Sequence, residues 1–290
     1  MNKISYIKSS DRQYNIERCL SLINSEIFKD LKNAKNVVIK PCAPVLDNQL
    51  ASTHIETLFS VIDFISPHVK GQITLAEGAI GVDTFSVFEN YGYHKLRDYF
   101  DLAFIDLNFD EYEILELENE EEKPLQAHIS KTLLESDYII SVCPPKTDSE
   151  LLFSGATNNI VKSSFVKDIP KGMFWLRKQD IRSRALSNFN IAQRNIQKLR
   201  DKFRIGLSVI DGFTIMTGEG PIDGQLAMGH YAIASNNSIL ADILACKCMG
   251  LDFSLLKSLG SSDDWSDYFV TGDSWQSNVL EIAVPEKFST

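Results

Sequence analysis

The sequence predicts an α/β protein, a mostly parallel sheet flanked by helices in Rossmann-like layering. Two observations carry that expectation. Short β-branched runs alternate with longer stretches whose apolar residues recur at helical spacing. Segments rich in Pro, Gly and Lys follow three of the short runs, where loops at strand ends would lie. The chain has 290 residues, 44% apolar and 23% charged, a balance that suits a folded core and excludes a disordered or fibrous chain. No repeat, low-complexity linker or composition break divides it. Residues 1–290 therefore read as one α/β domain, with room for an inserted subdomain near residues 145–203.

Taken in order, Asn36-Val37-Val38-Ile39-Lys40 is the first strand recognised, stopped by Pro41 and Pro44. Ser52 or Thr53 caps a helix over 54–66, in which Ile55, Leu58, Phe59, Ile62 and Ile65 form one apolar stripe. Gln72 to Ala76 is a strand, followed by the turn Glu77-Gly78-Ala79. A short helix from Thr84 to Asn90 stops at Gly92. Strands follow around Leu102–Leu107 and Tyr112–Leu117. The acidic run Glu118 to Glu122 reads as a solvated loop, since adjacent like charges repel. Tyr138-Ile139-Ile140-Ser141-Val142 has the unbroken apolar character of a buried strand. Asp180 to Phe203 is helical in period and rich in Arg and Lys. Ile205 to Ile210 is a further strand, and 238–249 an apolar helix stopped by Gly250.

Several function classes are disfavoured at once. With 29 Lys and Arg against 39 Asp and Glu, the formal charge is −10, the wrong sign for a general nucleic-acid binder. The cations Arg177, Lys178, Arg182, Arg184, Arg194, Lys198, Arg200 and Lys202 then read as a solvated helix face. No segment reaches the roughly 18–20 apolar residues of a membrane span, and the start lacks the apolar core of a signal peptide. Cys19, Cys42, Cys143, Cys246 and Cys248 are odd in number, scattered and without a C-x-x-C. They suit free thiols in a reducing, cytoplasmic setting and argue against an iron–sulfur cluster or structural zinc.

Chemistry is expected where strands end. Lys40-Pro41-Cys42, Cys143-Pro144-Pro145-Lys146-Thr147-Asp148 and Asp211-Gly212 each follow a strand, and in parallel sheets such loops face one crevice. Lys40 and Lys146 are placed to hold an anionic group, or equally to tip their strands into solvent. Asp211, Glu219 and Asp223 offer oxygen ligands for a divalent cation such as magnesium, although Asp211-Gly212 and Asp223-Gly224 also suit simple turns. Gly218-Glu219-Gly220-Pro221-Ile222-Asp223-Gly224 has the glycines of an anion-binding nest but matches neither the P-loop nor G-x-G-x-x-G. Ser154 to Asn159 is a polar run at which a helix, and with it an anion site or a plain cap, can begin. Cys42 and Cys143 are expected on the same side, and His54 is the histidine best placed for acid–base work.

At these loops the sequence resembles the DUF362 family. The marks are Val38-Ile39-Lys40-Pro41, Thr53-His54, Phe88-Glu89-Asn90-Tyr91-Gly92-Tyr93, Ser136 to Ile140 leading to Pro145-Lys146-Thr147, Gly155-Ala156, Asn159, Val209-Ile210-Asp211-Gly212, Gly218-Glu219-Gly220-Pro221 and Ala241-Asp242. The resemblance runs from about residue 36 to 252 and implies an α/β fold with a site at these loops, while supplying no reaction. Four positions depart from the family pattern: Cys42 stands in place of Asn, Asp148 of His, Asn158 of Lys and Asn237 of Asp. Some members carry ferredoxin-like segments, whose cysteines are not found in this sequence.

The expected activity is that of an enzyme acting on a small anionic metabolite. Lys40, Lys146, Asp148, Asn158, Asn159, Gly218 and Gly220 are the candidate binding residues, and His54, Asp211 and Glu219 the candidate acid–base or metal-binding groups. The alternative is a non-catalytic binding or accessory protein, with Trp265, Tyr268, Phe269 and Trp275 docking a partner protein or a second subunit.

Overall fold

The computed structural model describes residues 3–167, 181–260 and 268–289. In chain order the regular elements begin with β1 (Ile4–Lys8), α1 (Arg12–Leu22), α2 (Asn24–Leu31), β2 (Val37–Pro41), α3 (Ile55–Ile65), β3 (Ile73–Glu77), α4 (Thr84–Asn90) and β4 (Leu102–Asp106). A hairpin, β5 (Tyr112–Glu118) and β6 (Pro124–Ser130), precedes α5 (Lys131–Leu134), β7 (Tyr138–Cys143), β8 (Lys146–Asp148) and β9 (Leu152–Ser154). The remainder is α6 (Ala156–Ser163), α7 (Ile181–Leu186), α8 (Phe189–Arg200), β10 (Ile205–Thr217), β11 (Gln225–Ser235), α9 (Ser238–Cys248) and β12 (Val270–Gly272).

The main sheet runs β12-β1-β11-β10-β7-β2-β3-β4. From β10 to β4 neighbouring strands are parallel, while β11 is antiparallel to both β10 and β1. Period-two alternation explains the layering. Val37, Ile39, Ile140 and Val142 face Ile16 of α1, Ile27 of α2, Leu58 of α3 and Phe88 of α4. Val38 and Ile139 point the other way, onto Ile160 of α6 and Ile196 of α8. Toward the other edge Ile210 and Ile233 pack under Leu240 and Leu244 of α9. Helices thus cover both faces, as the sequence predicts.

The order also contains a reversal. The chain moves outward from β2 to β3 and β4, then returns to place β7 on the opposite side of β2. Connections diverge above and below the sheet at this point, so a crevice opens outside the carboxyl ends of β2 and β7.

Several local expectations are corrected. His54, not Ser52 or Thr53, caps α3: its Nδ1 accepts the Glu56 N–H at 3.3 Å. Thr53 is used otherwise, its hydroxyl donating to the Val142 carbonyl at 2.7 Å and accepting the Cys42 N–H at 2.8 Å. Asp211-Gly212 is not a turn, because β10 continues to Thr217. Gly212 pairs with Tyr231 on β11, and a Cβ there would lie 2.2 Å from the Tyr231 ring. The glycine gives that ring a place to lie against the backbone.

The acidic run turns the β5–β6 hairpin and meets the basic stretch instead of solvent alone. Arg194 donates to Glu118 at 2.6 Å and to Glu122 at 3.2 Å, and Arg184 reaches Glu120 at 3.9 Å. Part of the basic face is therefore matched to this hairpin. Arg177, Lys178 and Trp265 lie outside the described residues. Among the described residues, no helix is long and apolar enough to cross a membrane, and all five cysteines are free.

Candidate functional site

At the reversal point a cleft of about 370 Å³ opens, lined by residues from β2, β3, β8, α6 and α7. Its floor is a buried ion pair. Lys40, the penultimate residue of β2, places Nζ 2.7 Å from Oε1 of Glu77, the last residue of β3, with side chains only 1% and 2% exposed. The adjacent parallel strands bring these two ends together. Lys40 also donates to Asn159 Oδ1 at 3.0 Å and to its neighbour's carbonyl, that of Pro41, at 2.5 Å. Glu77 is saturated as an acceptor. Its Oε2 takes the Ala43 N–H at 2.5 Å, and its Oε1 takes Gly78 N–H at 2.8 Å and the Ser163 hydroxyl at 3.0 Å. A buried pair held this way is well compensated for its desolvation.

The second wall comes from β8 and α6. Lys146 donates to Cys42 Sγ at 3.2 Å and to the Ala51 carbonyl at 2.8 Å. Asp148 forms a very short contact with Lys162, and its other oxygen accepts the N–H groups of Glu150 and Leu151 at 3.0 Å each. Asn158 and Lys162 share one face of α6, as do Asn159 and Ser163, because residues four apart are neighbours on a helix. Asn158 donates to the Phe153 carbonyl at 2.8 Å. Arg182, Ser187, Pro221 and Ile222 also line the cleft.

The structure brings Lys40, Lys146, Asp148, Asn158 and Asn159 of the expected set to one cleft, and leaves the others elsewhere. His54 and Asp211 belong to a separate cluster: Asp211 accepts Thr57 Oγ1 at 2.5 Å and lies 3.1 Å from Arg12 Nε. Burial, then the Arg12 guanidinium, push the His54 imidazole down from its ordinary value. Glu219 is exposed and accepts the Glu286 N–H at 2.7 Å. Extended β10 backbone carries the chain roughly 20 Å from Asp211 to Thr217, two residues short of Glu219. Asp211, Glu219 and Asp223 are therefore not a ligand set. Among the described residues no three His, Cys, Asp or Glu side chains converge as a metal site.

Nor is the glycine segment an open nest. Gly218 donates its N–H to the Ala283 carbonyl at 2.8 Å, and Gly220 donates to the Gly218 carbonyl at 2.9 Å. A Cβ on Gly220 would sit 2.2 Å from the Thr147 carbonyl oxygen, so this segment packs directly on β8. The start of α6 is filled as well. Asp242 from α9 accepts the Ala156 N–H at 2.6 Å and the Thr157 N–H at 3.0 Å, occupying the place an anion would take. Gly155 makes this possible, since a Cβ there would meet Asp242 Oδ1 at 2.3 Å and the Phe153 ring at 2.6 Å. Gly155→Ala is accordingly expected to destabilise the fold by about 1–3 kcal/mol, measured by urea unfolding. An unchanged midpoint would show that the carboxylate cap can move aside.

Sequence reasoning missed Glu77, Lys162 and Arg182 as cleft residues. Glu77-Gly78-Ala79 has the sequence of a turn, but Glu77 ends β3, the strand next to that of Lys40. Lys162 could have been found from its spacing of four beyond Asn158. Of the four positions expected to depart from the family pattern, three, Cys42, Asp148 and Asn158, line this cleft. The fourth, Asn237, caps α9 by accepting the Ile239 and Leu240 N–H groups, a task Asn and Asp perform about equally well.

Fold and cleft together define an α/β protein with a charged pocket at the strand-order reversal. The model of the family described as domain of unknown function DUF362 matches residues 37–247, and the chain belongs to that family. No curated protein matches it. Among solved structures it is similar to the lactate racemase apoprotein from Thermoanaerobacterium thermosaccharolyticum, at 15% identity and TM-score 0.48, covering 83% of this chain and 56% of that one. It is also similar to a Thermotoga maritima protein at 14% identity and TM-score 0.46, covering 81% and 58%. The similarity spans less than two thirds of either of those chains.

Proposed function

We propose that this protein binds and acts on a small anionic metabolite in the cleft outside β2, β3 and β7. The observation that carries this reading is the charge balance of the lining. Lys40 and Lys162 are matched by Glu77 and Asp148. Lys146 and Arg182 face the same space with no carboxylate partner among the described residues. Glu150, also in the lining, is approached by Lys287 at 3.8 Å. Two unmatched cations in a partly dry cleft, beside the amide of Asn158 and the hydroxyls of Ser154 and Ser163, suit a phosphate or carboxylate.

Calorimetric titration with inorganic phosphate and a panel of small mono- and dicarboxylates tests the proposal. Saturable binding to the wild type is expected, with Lys146→Met and Arg182→Ala each weakening it roughly 10- to 100-fold, the worth of one charge-assisted hydrogen bond. Absence of binding across the panel, or full affinity in both variants, would refute it. A non-catalytic binding role is the second reading. It is favoured by one observation: the two buried carboxylates of the cleft are already tied to lysines, so neither stands ready as a base. Turnover of whichever anion binds separates the two readings.

A further inference from the structure

We propose that Cys42 is the nucleophile of this cleft, that Lys146 positions its sulfur, and that the ligand is a small anionic electrophile. The inference rests on the anion-binding reading and adds to it the chemical class of the ligand. Cys42 directly follows β2 and is clamped on both sides of its backbone. Its N–H donates to Thr53 Oγ1 at 2.8 Å, and its carbonyl accepts the Thr53 N–H at 2.6 Å. The thiol is 3.4 Å from the Ala51 carbonyl as a donor, while Lys146 donates to the sulfur at 3.2 Å. The same ammonium is anchored by the Ala51 carbonyl, so sulfur, carbonyl and ammonium form a fixed triangle.

Cysteine reactivity depends on access and on nearby positive charge, and only Cys42 combines the two among the five. It lines the cleft. Cys19, Cys143, Cys246 and Cys248 are at most 1% exposed and line no wall of the cleft. Burial pushes the Cys19 and Cys248 thiols up to about 12 and those of Cys143 and Cys246 well above the ordinary value. Those four are packing groups. With a carbonyl-bearing ligand, the sulfur–carbon bond forms, the C–O π pair moves onto oxygen, and the thiol proton ends on that oxygen. No further reactant is needed. The unmatched charge of Lys146 and Arg182 favours a carboxylate or phosphate elsewhere on the same molecule.

Competitive alkylation of the full, folded chain tests this, using iodoacetate and iodoacetamide with peptide mass spectrometry at all five cysteines. Each probe forms an S–C bond as iodide leaves and the thiol proton goes to solvent. Cys42 is expected to react roughly tenfold or more faster than any other cysteine. Its iodoacetate-to-iodoacetamide rate ratio should exceed that of free glutathione several-fold, because the cleft attracts the anionic probe. Lys146→Met should bring that ratio back toward glutathione's, and Lys146→Arg should restore it, a pattern that loss of packing alone does not produce. If either variant fails to fold, the wild-type ratio decides.

Uniformly slow or equal labelling of the five cysteines would overturn the proposal. Slow Cys42 labelling alongside calorimetric phosphate binding would do so while leaving the anion reading intact. Fast labelling with a ratio equal to glutathione's would overturn the anionic ligand class, and the anion reading with it, while leaving Cys42 reactive.

Discussion

Replacing Glu77 with Gln is expected to lower the unfolding free energy by roughly 3–5 kcal/mol, the range found when one partner of a buried ion pair is removed. The Lys40 ammonium would remain 1% exposed with its carboxylate gone. An amide is also a poor substitute here. Both Glu77 oxygens accept from donors, Ala43 N–H on one side and Gly78 N–H, Ser163 and Lys40 on the other. Whichever way Gln is turned, its NH₂ faces an N–H or an ammonium. Lys40→Met should cost a similar amount by stranding the carboxylate. The double replacement Lys40→Met with Glu77→Leu should cost clearly less than the two singles combined, since neither charge is then left alone. Urea unfolding of the four proteins measures this, and strictly additive losses would show that the pair is not the source.

The second large effect concerns Asp242 and pH. Burial raises its carboxyl from the ordinary value to about 6, despite the N–H groups of Ala156 and Thr157 that favour the charged form. In the unfolded chain the same group titrates near the ordinary 3.8. Between these values the native state holds a proton that the unfolded state has released. This contribution to stability is therefore fully present below 3.8 and is lost as pH rises through about 6. Relative to Asp242→Asn, which cannot titrate, the wild type should gain roughly 2 kcal/mol in unfolding free energy as pH falls from 7 to 4. Parallel urea midpoints for the two proteins across that range would contradict the assignment.

Much of the fold is legible in the sequence because its central strands are buried on both faces. β2, β3 and β7 read as compact apolar runs, and α4 and α9 are bounded by Gly92 and Gly250, both in the left-handed region. Among the elements that escaped reading, β11, β6 and β8 are mixed in character. The first half of β11 is largely exposed and the second half buried, so neither strict alternation nor a continuous apolar run marks it. β6 opens on Pro124, and the short strand β8 resembles a loop after two prolines. Asp211-Gly212 carries the signature of a turn, yet a ring lying on the glycine lets the strand pass straight through.

The candidate cleft was half legible for a related reason. Lys40 lies at the end of a strand and Lys146 follows another whose direction the sequence reveals, and Asn159 belongs to the polar run at which a helix is expected to begin. Glu77, Lys162 and Arg182 arrive from a neighbouring strand and from helices on the opposite face, and only the strand order says that they meet. His54 and Asp211 show the converse error. A helix start and a strand can lie close in the chain map and still deliver their side chains to a different cluster.

The α6 terminus has a consequence for how this protein can change over time. Its backbone donors are satisfied by the chain's own Asp242, and those of Gly218 and Gly220 by carbonyls, so neither main-chain cradle is free to take a ligand. Under the proposed anion-binding role, recognition would fall to the tips of individual side chains. A pocket built from backbone is inherited with the fold and can be altered only by rebuilding a turn. One built from Cys42, Lys146, Asp148, Asn158 and Arg182 can be rewritten one codon at a time while the scaffold beneath stays as it is. The fold thus keeps its architecture constant and leaves its chemistry open to piecemeal revision.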